Sequence, residues 1–109
     1  MGSYMIEVSY TAEAWAAQLK SPQNRIDAIK PMIERNGAKI TGAWYAFGDA
    51  DLVLIVEGGD NITTAASILV AAAGGAVSNI KTTVLMSVED GIKAIKQAGE
   101  VAGTYTPPA

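Results

Sequence analysis

The side chains that could do chemistry are few, and the residue types that are missing exclude several kinds of site. The chain of 109 residues contains neither histidine nor cysteine. Ser-His and Cys-His nucleophilic pairs, haem ligation by these residues and ordinary zinc sites are therefore excluded. Acid–base chemistry would depend on Asp, Glu, Lys or Tyr, each with a shifted pKa. The composition predicts no cofactor.

Two carboxylates stand close together in the short acidic turn Gly48-Asp49-Ala50-Asp51. They have the type needed for a general base or for a cation ligand. The alternative is structural, with Asp51 accepting hydrogen bonds from backbone amides of the turn and Asp49 solvated, and we favour it because aspartates commonly form turns. Two carboxylates on one turn are too few for selective metal binding, so no metal site is predicted.

The cationic candidates are Arg25 and Lys81. The guanidinium of Arg25 suits an anionic group, but a surface ion pair with Asp27 or Asp49 is the interpretation that we favour. Lys81 lies among threonines, where it is either a desolvated amine facing an interior or a charge that protects a sheet edge. We favour the second interpretation.

Aromatic side chains add surfaces on which a planar ligand can stack, although at strand and helix spacing they more often anchor a core or an interface. All candidate pocket residues taken together are Tyr10, Trp15, Arg25, Trp44, Tyr45, Asp49, Asp51, Lys81 and Thr83.

The composition favours one compact domain over residues 1–102, followed by a flexible tail over residues 103–109. Half of the residues are hydrophobic, which is enough for a real core. The net charge is −3 and the charges are mixed along the chain, so neither nucleic acid nor a membrane surface is an expected partner. The expected location is cytoplasmic.

Hydrophobic spacing and turn signals predict the element order β-α-β-β-α-β-α. The predicted strands cover residues 4–10, 39–47, 51–57 and 77–86. Helices are expected over residues 12–20, from the cap Ser21-Pro22 to Asn36-Gly37, after Asp60 and after Ser87. The apolar stripes expected to face the sheet are Ala12, Trp15, Ala16 and Leu19 in the first helix, and Ile62, Ala65, Ala66, Leu69, Ala72 and Ala73 in the third.

This order is typical of an α+β, ferredoxin-like fold, a four-stranded antiparallel sheet with helices on one face. The strand at residues 52–56 is apolar on both faces, which predicts cover on both sides. We therefore expect a second copy to pack on the open face, giving a dimeric α/β barrel or a higher multiple of it. The residues expected on that face are Glu7, Ser9, Tyr45, Lys81 and Thr83, or their neighbours.

The chain resembles the GYD domain family of the dimeric α/β-barrel superfamily over about residues 4 to 90. The family's Gly-x-Tyr-Asp motif would be residues 48–51, with Ala50 in the place of the tyrosine. Further similarities are Tyr10-Thr11, Ser21-Pro22 with Arg25, Gly37, the apolar run after Asp51, Asp60, and residues 80–85.

The resemblance implies little about function, because the family is mostly of unknown function. Its wider relatives include cofactor-free monooxygenases, stress-responsive barrels and haem-binding branches. The haem-binding branches are disfavoured as models for this chain, because it has no histidine to serve as an axial ligand. One hypothesis is therefore a barrel that binds a small planar or hydrophobic molecule, with cofactor-free oxidation or isomerisation of a phenol or enol as an added activity. The alternative is a non-enzymatic assembly or regulatory module with no internal ligand site.

Overall fold

The computed structural model describes residues 2–109. Eight helices and strands follow one another and end in a short 3₁₀ turn at Ala102–Thr104. They are β1 (Ser3–Tyr10), α1 (Ala12–Lys20), α2 (Arg25–Arg35), β2 (Ala38–Tyr45), β3 (Leu52–Gly58), α3 (Asn61–Ala73), β4 (Val77–Leu85) and α4 (Val88–Val101).

The four strands form one antiparallel sheet in the order β2-β3-β1-β4, which confirms the α+β, ferredoxin-like prediction. Burial alternates along the two central strands, β1 and β3. Every second side chain of each strand points into a core that α2 and α3 cover. Burying an aliphatic or aromatic side chain of this size stabilises a fold by about 1.5–3 kcal/mol. The buried cluster consists of Tyr4, Ile6, Val8, Ile33, Leu52, Leu54 and Val56.

Side-chain caps begin three of the helices where the sequence predicts them. Thr11 Oγ1 accepts a hydrogen bond from the Ala14 amide at 3.1 Å, and Ser87 Oγ accepts one from the Asp90 amide at 3.0 Å. Asp60 and Thr63 cap α3 reciprocally, and the hydrogen bonds from Thr63 lower the pKa of the Asp60 carboxyl. Such caps satisfy amides that have no partner inside the helix.

The predicted start of α2 is wrong. The helix begins at Arg25 rather than after Ser21, and its cap is Asn24, whose Oδ1 accepts from two amides of the first turn at 3.0 and 3.2 Å. The Gln18 side chain bonds both the amide and the carbonyl of Gln23, at 2.9 and 3.1 Å. These two bonds hold the intervening segment as a loop.

The predicted faces of β2 are wrong beyond its midpoint. The pairing with β3 slips between Ile40 and Gly42, so that one extra residue enters β2 as a β-bulge. Because side chains alternate, one extra residue exchanges the two faces of everything that follows. Tyr45 therefore pairs with the buried Leu52 on the helix side, and Trp44 pairs with Val53 on the open side.

The predicted core stripes of α1 and α3 are also wrong. Leu19 in α1 is 83% exposed, and only Trp15 of that stripe is partly buried. In α3, Ile62 is 80% exposed, whereas Ser67 is buried and Ile68 packs against the core. Amphipathic spacing was ambiguous because both helices are rich in alanine and have apolar residues on more than one side.

The last helix, α4, makes few contacts with the sheet, and the described chain measures 60 × 34 × 22 Å. Its apolar residues are solvent-exposed in a single chain, including Val88 and Ile95 at 82% and 72%. Within residues 2–109, no helix is both long and apolar enough to cross a membrane.

Candidate functional site

One group of the candidate residues meets at the end of the sheet where β1 finishes and β3 begins. Asp51 Oδ2 accepts two hydrogen bonds, from the Tyr10 amide at 2.9 Å and from the Trp15 indole Nε1 at 3.2 Å. The rings of Tyr10 and Trp15 meet edge to face, with centroids 5.5 Å apart and an interplanar angle of 82°. Asp51 thus fastens α1 to the sheet.

The other residues of the acidic turn have different surroundings. The backbone carbonyl of Asp49 accepts a bond from Ser9 Oγ at 3.2 Å, while its side chain is exposed. Ala50 is only 9% exposed, so a tyrosine ring in its place would need room in the interior. Within residues 2–109 there is no cluster of three or more acidic side chains suited to a metal ion.

Tyr10 faces the helix side of the sheet and is influenced by three other candidates. Partial burial raises the pKa of the Tyr10 hydroxyl, and the Arg25 guanidinium opposes this shift. Tyr45, which the bulge turns to this side, and Asp51 reinforce the rise in pKa. Tyr10 therefore remains a protonated hydroxyl at neutral pH, able to donate a hydrogen bond.

A cavity of about 270 Å³ lies between the helix side of the sheet and the helices α2 and α3. Its wall is almost entirely apolar, and the polar side chains that line it belong to Tyr10, Arg25 and Ser67. Arg25 is the only charged residue that the described part of the chain contributes to this lining. The apolar wall includes Ile6, Val8, Ile29, Met32, Ile68 and Ile80.

Arg25 and Tyr10 also line a shallow groove between α1 and α2 on the outer side of this cavity. Gln18, Lys20 and Gln23 supply polar walls to that groove. The cavity and the groove therefore meet at Arg25 and Tyr10. Ala76 is the third residue that lines both.

The remaining candidates lie on the open face of the sheet. Trp44 stands opposite Val53, Lys81 opposite Glu7 and Thr83 opposite Met5 in the strand register. The sheet separates them from the cluster around Tyr10. The nine candidate residues therefore divide between two places, with Tyr10, Trp15, Arg25, Tyr45 and Asp51 in one and Trp44, Lys81 and Thr83 in the other, while Asp49 points to solvent.

The sequence did not predict a cavity on the helix side of the sheet; the ligand space that it predicted lies between two paired sheets and requires a second copy. Two small residues of α3, Ser67 and Ala71, line the void together with Gly74, the C-cap of the helix, at spacings of one and two helical turns. Such residues reach a short distance from the helix axis, so they leave space between α3 and the sheet. The spacing of these small residues was the sequence signal that could have indicated the cavity.

The family comparison matches the GYD domain over residues 4–95. Among solved structures, the crystal structure of MtbAldR is similar with a TM-score of 0.55 and 17% identity over 79% of this chain. The match covers only 53% of MtbAldR, so this chain spans about half of that protein.

A second solved structure, TTHA0845 from Thermus thermophilus, has a TM-score of 0.51 and 13% identity. The match covers 81% of this chain and 96% of that protein. At such identities the structural likeness concerns the fold alone. No curated protein matches the sequence. The family match covers most of the chain, and the chain therefore belongs to the GYD domain family.

Proposed function

We propose that this GYD domain protein binds a small, mainly apolar molecule in the cavity between its sheet and helices α2 and α3. The observation that carries the proposal is the cavity of about 270 Å³ with its apolar wall. An apolar protein cavity of ~150 Å³ is large enough to admit benzene. Pockets for larger ligands begin at roughly 300 Å³, so the volume suits a short chain or a single ring system.

The groups at the polar end of the cavity favour binding over acid–base catalysis. Oxidation or isomerisation of a phenol or enol needs a base at the substrate. The Asp51 carboxylate already accepts two hydrogen bonds, and burial keeps Tyr10 protonated by raising its pKa. Arg25 is a donor and a fixed positive charge rather than a base. Recognition of a ligand is the role that this set of groups performs best.

The open face of the sheet supports a homodimer as the functional unit. Val53 and Ile55 of β3 point to this face and are partly exposed, and Trp44 is 59% exposed. An aromatic side chain of this kind is a typical interface anchor. Pairing two copies through this face would give β3 apolar cover on both sides. In this proposal the open face serves assembly, and each chain retains its own cavity.

Binding is tested with octanol as an apolar probe, measured by titration calorimetry on the full chain. We expect a dissociation constant of roughly 0.1 mM, because each buried methylene contributes about 0.8 kcal/mol. Ala71→Leu fills part of the cavity and should abolish binding. Ala66→Leu adds the same atoms to an exposed position of α3 and should leave octanol binding unchanged. Equal affinities of the two variants, or no binding by the wild type, would overturn the proposal.

Assembly is tested by native mass spectrometry of gently purified protein. A dimer, or a multiple of it, that retains a small molecule would support both parts of the proposal. A strict monomer would contradict the paired-sheet arrangement while leaving the octanol experiment to decide on the cavity.

A further inference from the structure

The cavity has an uneven distribution of charge that indicates what kind of molecule it accepts. Its walls are apolar, and Arg25 at one end supplies the only charge among the described lining residues. A ligand with its own charge would place that charge at this end, where the guanidinium and the Tyr10 hydroxyl can both donate hydrogen bonds.

The Arg25 guanidinium has no carboxylate partner in the described part of the chain. Ion pairs with N···O distances up to 4.0 Å occur at Lys30–Glu34 and Lys93–Asp90, and neither includes Arg25. The surface pair with Asp27 or Asp49 that the sequence favoured is thus not formed. A partly buried cation without a counter-ion is unfavourable when an apolar ligand displaces water around it. An anionic ligand removes that cost.

The acidic and phenolic groups near Tyr10 do not form an ion pair with Arg25. Asp51 influences Tyr10, but it forms no ion pair with Arg25, and its Oδ2 accepts hydrogen bonds from the Tyr10 amide and the Trp15 indole. Tyr45 also faces this side, but it carries a hydroxyl group rather than a carboxylate. The Arg25 guanidinium therefore has no directly paired carboxylate in the described part of the chain, which matches a ligand with a single negative charge.

We propose that the ligand is an amphipathic monoanion, a medium-chain or single-ring carboxylic acid whose apolar part fills the cavity and whose carboxylate binds Arg25 and Tyr10. This inference rests on the proposed function, because it assigns the ligand class of the same cavity. The groove between α1 and α2 meets the cavity at these two residues, so the carboxylate would lie at the entrance and remain partly hydrated.

Octanoate and octanol share one apolar chain and differ in the head group, so they separate this inference from the proposed function. We expect Arg25→Gln to weaken octanoate binding about 10- to 100-fold, the usual effect of losing a charge-assisted hydrogen bond, and to change octanol binding less than about 2-fold. Arg35→Gln is the matched control, since it removes the same charge from an exposed position of the same helix. Arg25→Lys should recover part of the affinity.

The possible results have different consequences. Binding of octanol without octanoate would overturn the ligand class and leave the proposed function standing. Absence of both would overturn the proposed function as well. An equal loss of octanoate affinity in the Arg25 and Arg35 variants would show a general charge effect and contradict the assignment. If Arg25→Gln fails to fold, as judged by circular dichroism, Arg25→Lys still tests the site through the ratio of octanoate to octanol affinity. An unchanged ratio would contradict the proposal.

Discussion

The two faces of the sheet differ in what the chain itself provides for them. On the helix side, alternate residues of β1 and β3 are buried under α2 and α3, apart from the void that the small residues of α3 leave. On the open side, the intervening residues of the same strands are only partly buried, and no described helix covers them. The comparison shows that neighbouring residues of one strand lie in different surroundings because their side chains alternate, one set in the core and the other on the face that we propose for assembly.

The largest expected effect is on the free energy of unfolding, and it distinguishes the two faces of the sheet at adjacent positions of β3. Leu54 is 3% exposed on the helix side, so Leu54→Ala should reduce the free energy of unfolding by about 2–5 kcal/mol. Ile55 points to the open face, and Ile55→Ala should instead produce a loss of stability that depends on protein concentration. Chemical denaturation at several concentrations measures both. Equal, concentration-independent losses would contradict the division between the faces.

A smaller effect is expected at the neighbouring aromatic pair of β2. Trp44→Ala should weaken the proposed dimer at least ~30-fold, as the loss of an interface anchor does. Tyr45→Ala removes an aromatic ring from the opposite face and should leave the dimer dissociation constant nearly unchanged. Analytical ultracentrifugation provides the measurement. If the Tyr45 variant dissociates and the Trp44 variant does not, the bulge has been assigned to the wrong place.

The two aspartates of the acidic turn provide the third comparison. Asp51→Ala leaves the Tyr10 amide and the Trp15 indole without their acceptor and should cost about 1–3 kcal/mol in unfolding free energy. Asp49→Ala changes an exposed side chain and should cost less than about 0.5 kcal/mol. Thermal and urea denaturation of the two variants tests this. Similar costs would show that Asp51 does not fasten α1.

The smallest expected effect is a dependence of stability on pH at the helix-side cluster. Burial raises the pKa of Tyr10 in the folded state above its ordinary value of 10.0. The folded protein therefore holds this proton more tightly, so its contribution to stability is complete below about pH 10 and is lost as the pH rises through the folded pKa. Tyr10→Phe should lose less stability over this range than the wild type. Parallel stability curves between about pH 9 and 12 would contradict the assigned shift.

Much of the fold was predictable because its signals are local in the sequence. Thr11, Asp60 and Ser87 cap the helices that follow them within three residues, and the start of α1 follows directly from its cap. The two-sided apolar character of β3 is visible in consecutive residues. Element order and the antiparallel, ferredoxin-like topology follow from such signals.

The candidate site was predictable only in part. The residue types that could bind or donate were visible, but their division between two faces was not. Arg25 reaches Tyr10 across 15 positions of the chain, and Asp51 reaches Tyr10 across 41. Contacts between residues so far apart depend on strand register and helix docking, which no short segment specifies.

The sequence by itself determined the helices and strands, their order and the absence of histidine and cysteine chemistry, because these depend on composition and on interactions within a few residues. Only the tertiary structure decided which side of β2, α1 and α3 faces the core. A single bulge between Ile40 and Gly42 exchanges the faces of a strand, and alanine-rich helices can dock by more than one stripe. The cavity depends on both, since it is the space that remains after the helices have packed against the sheet.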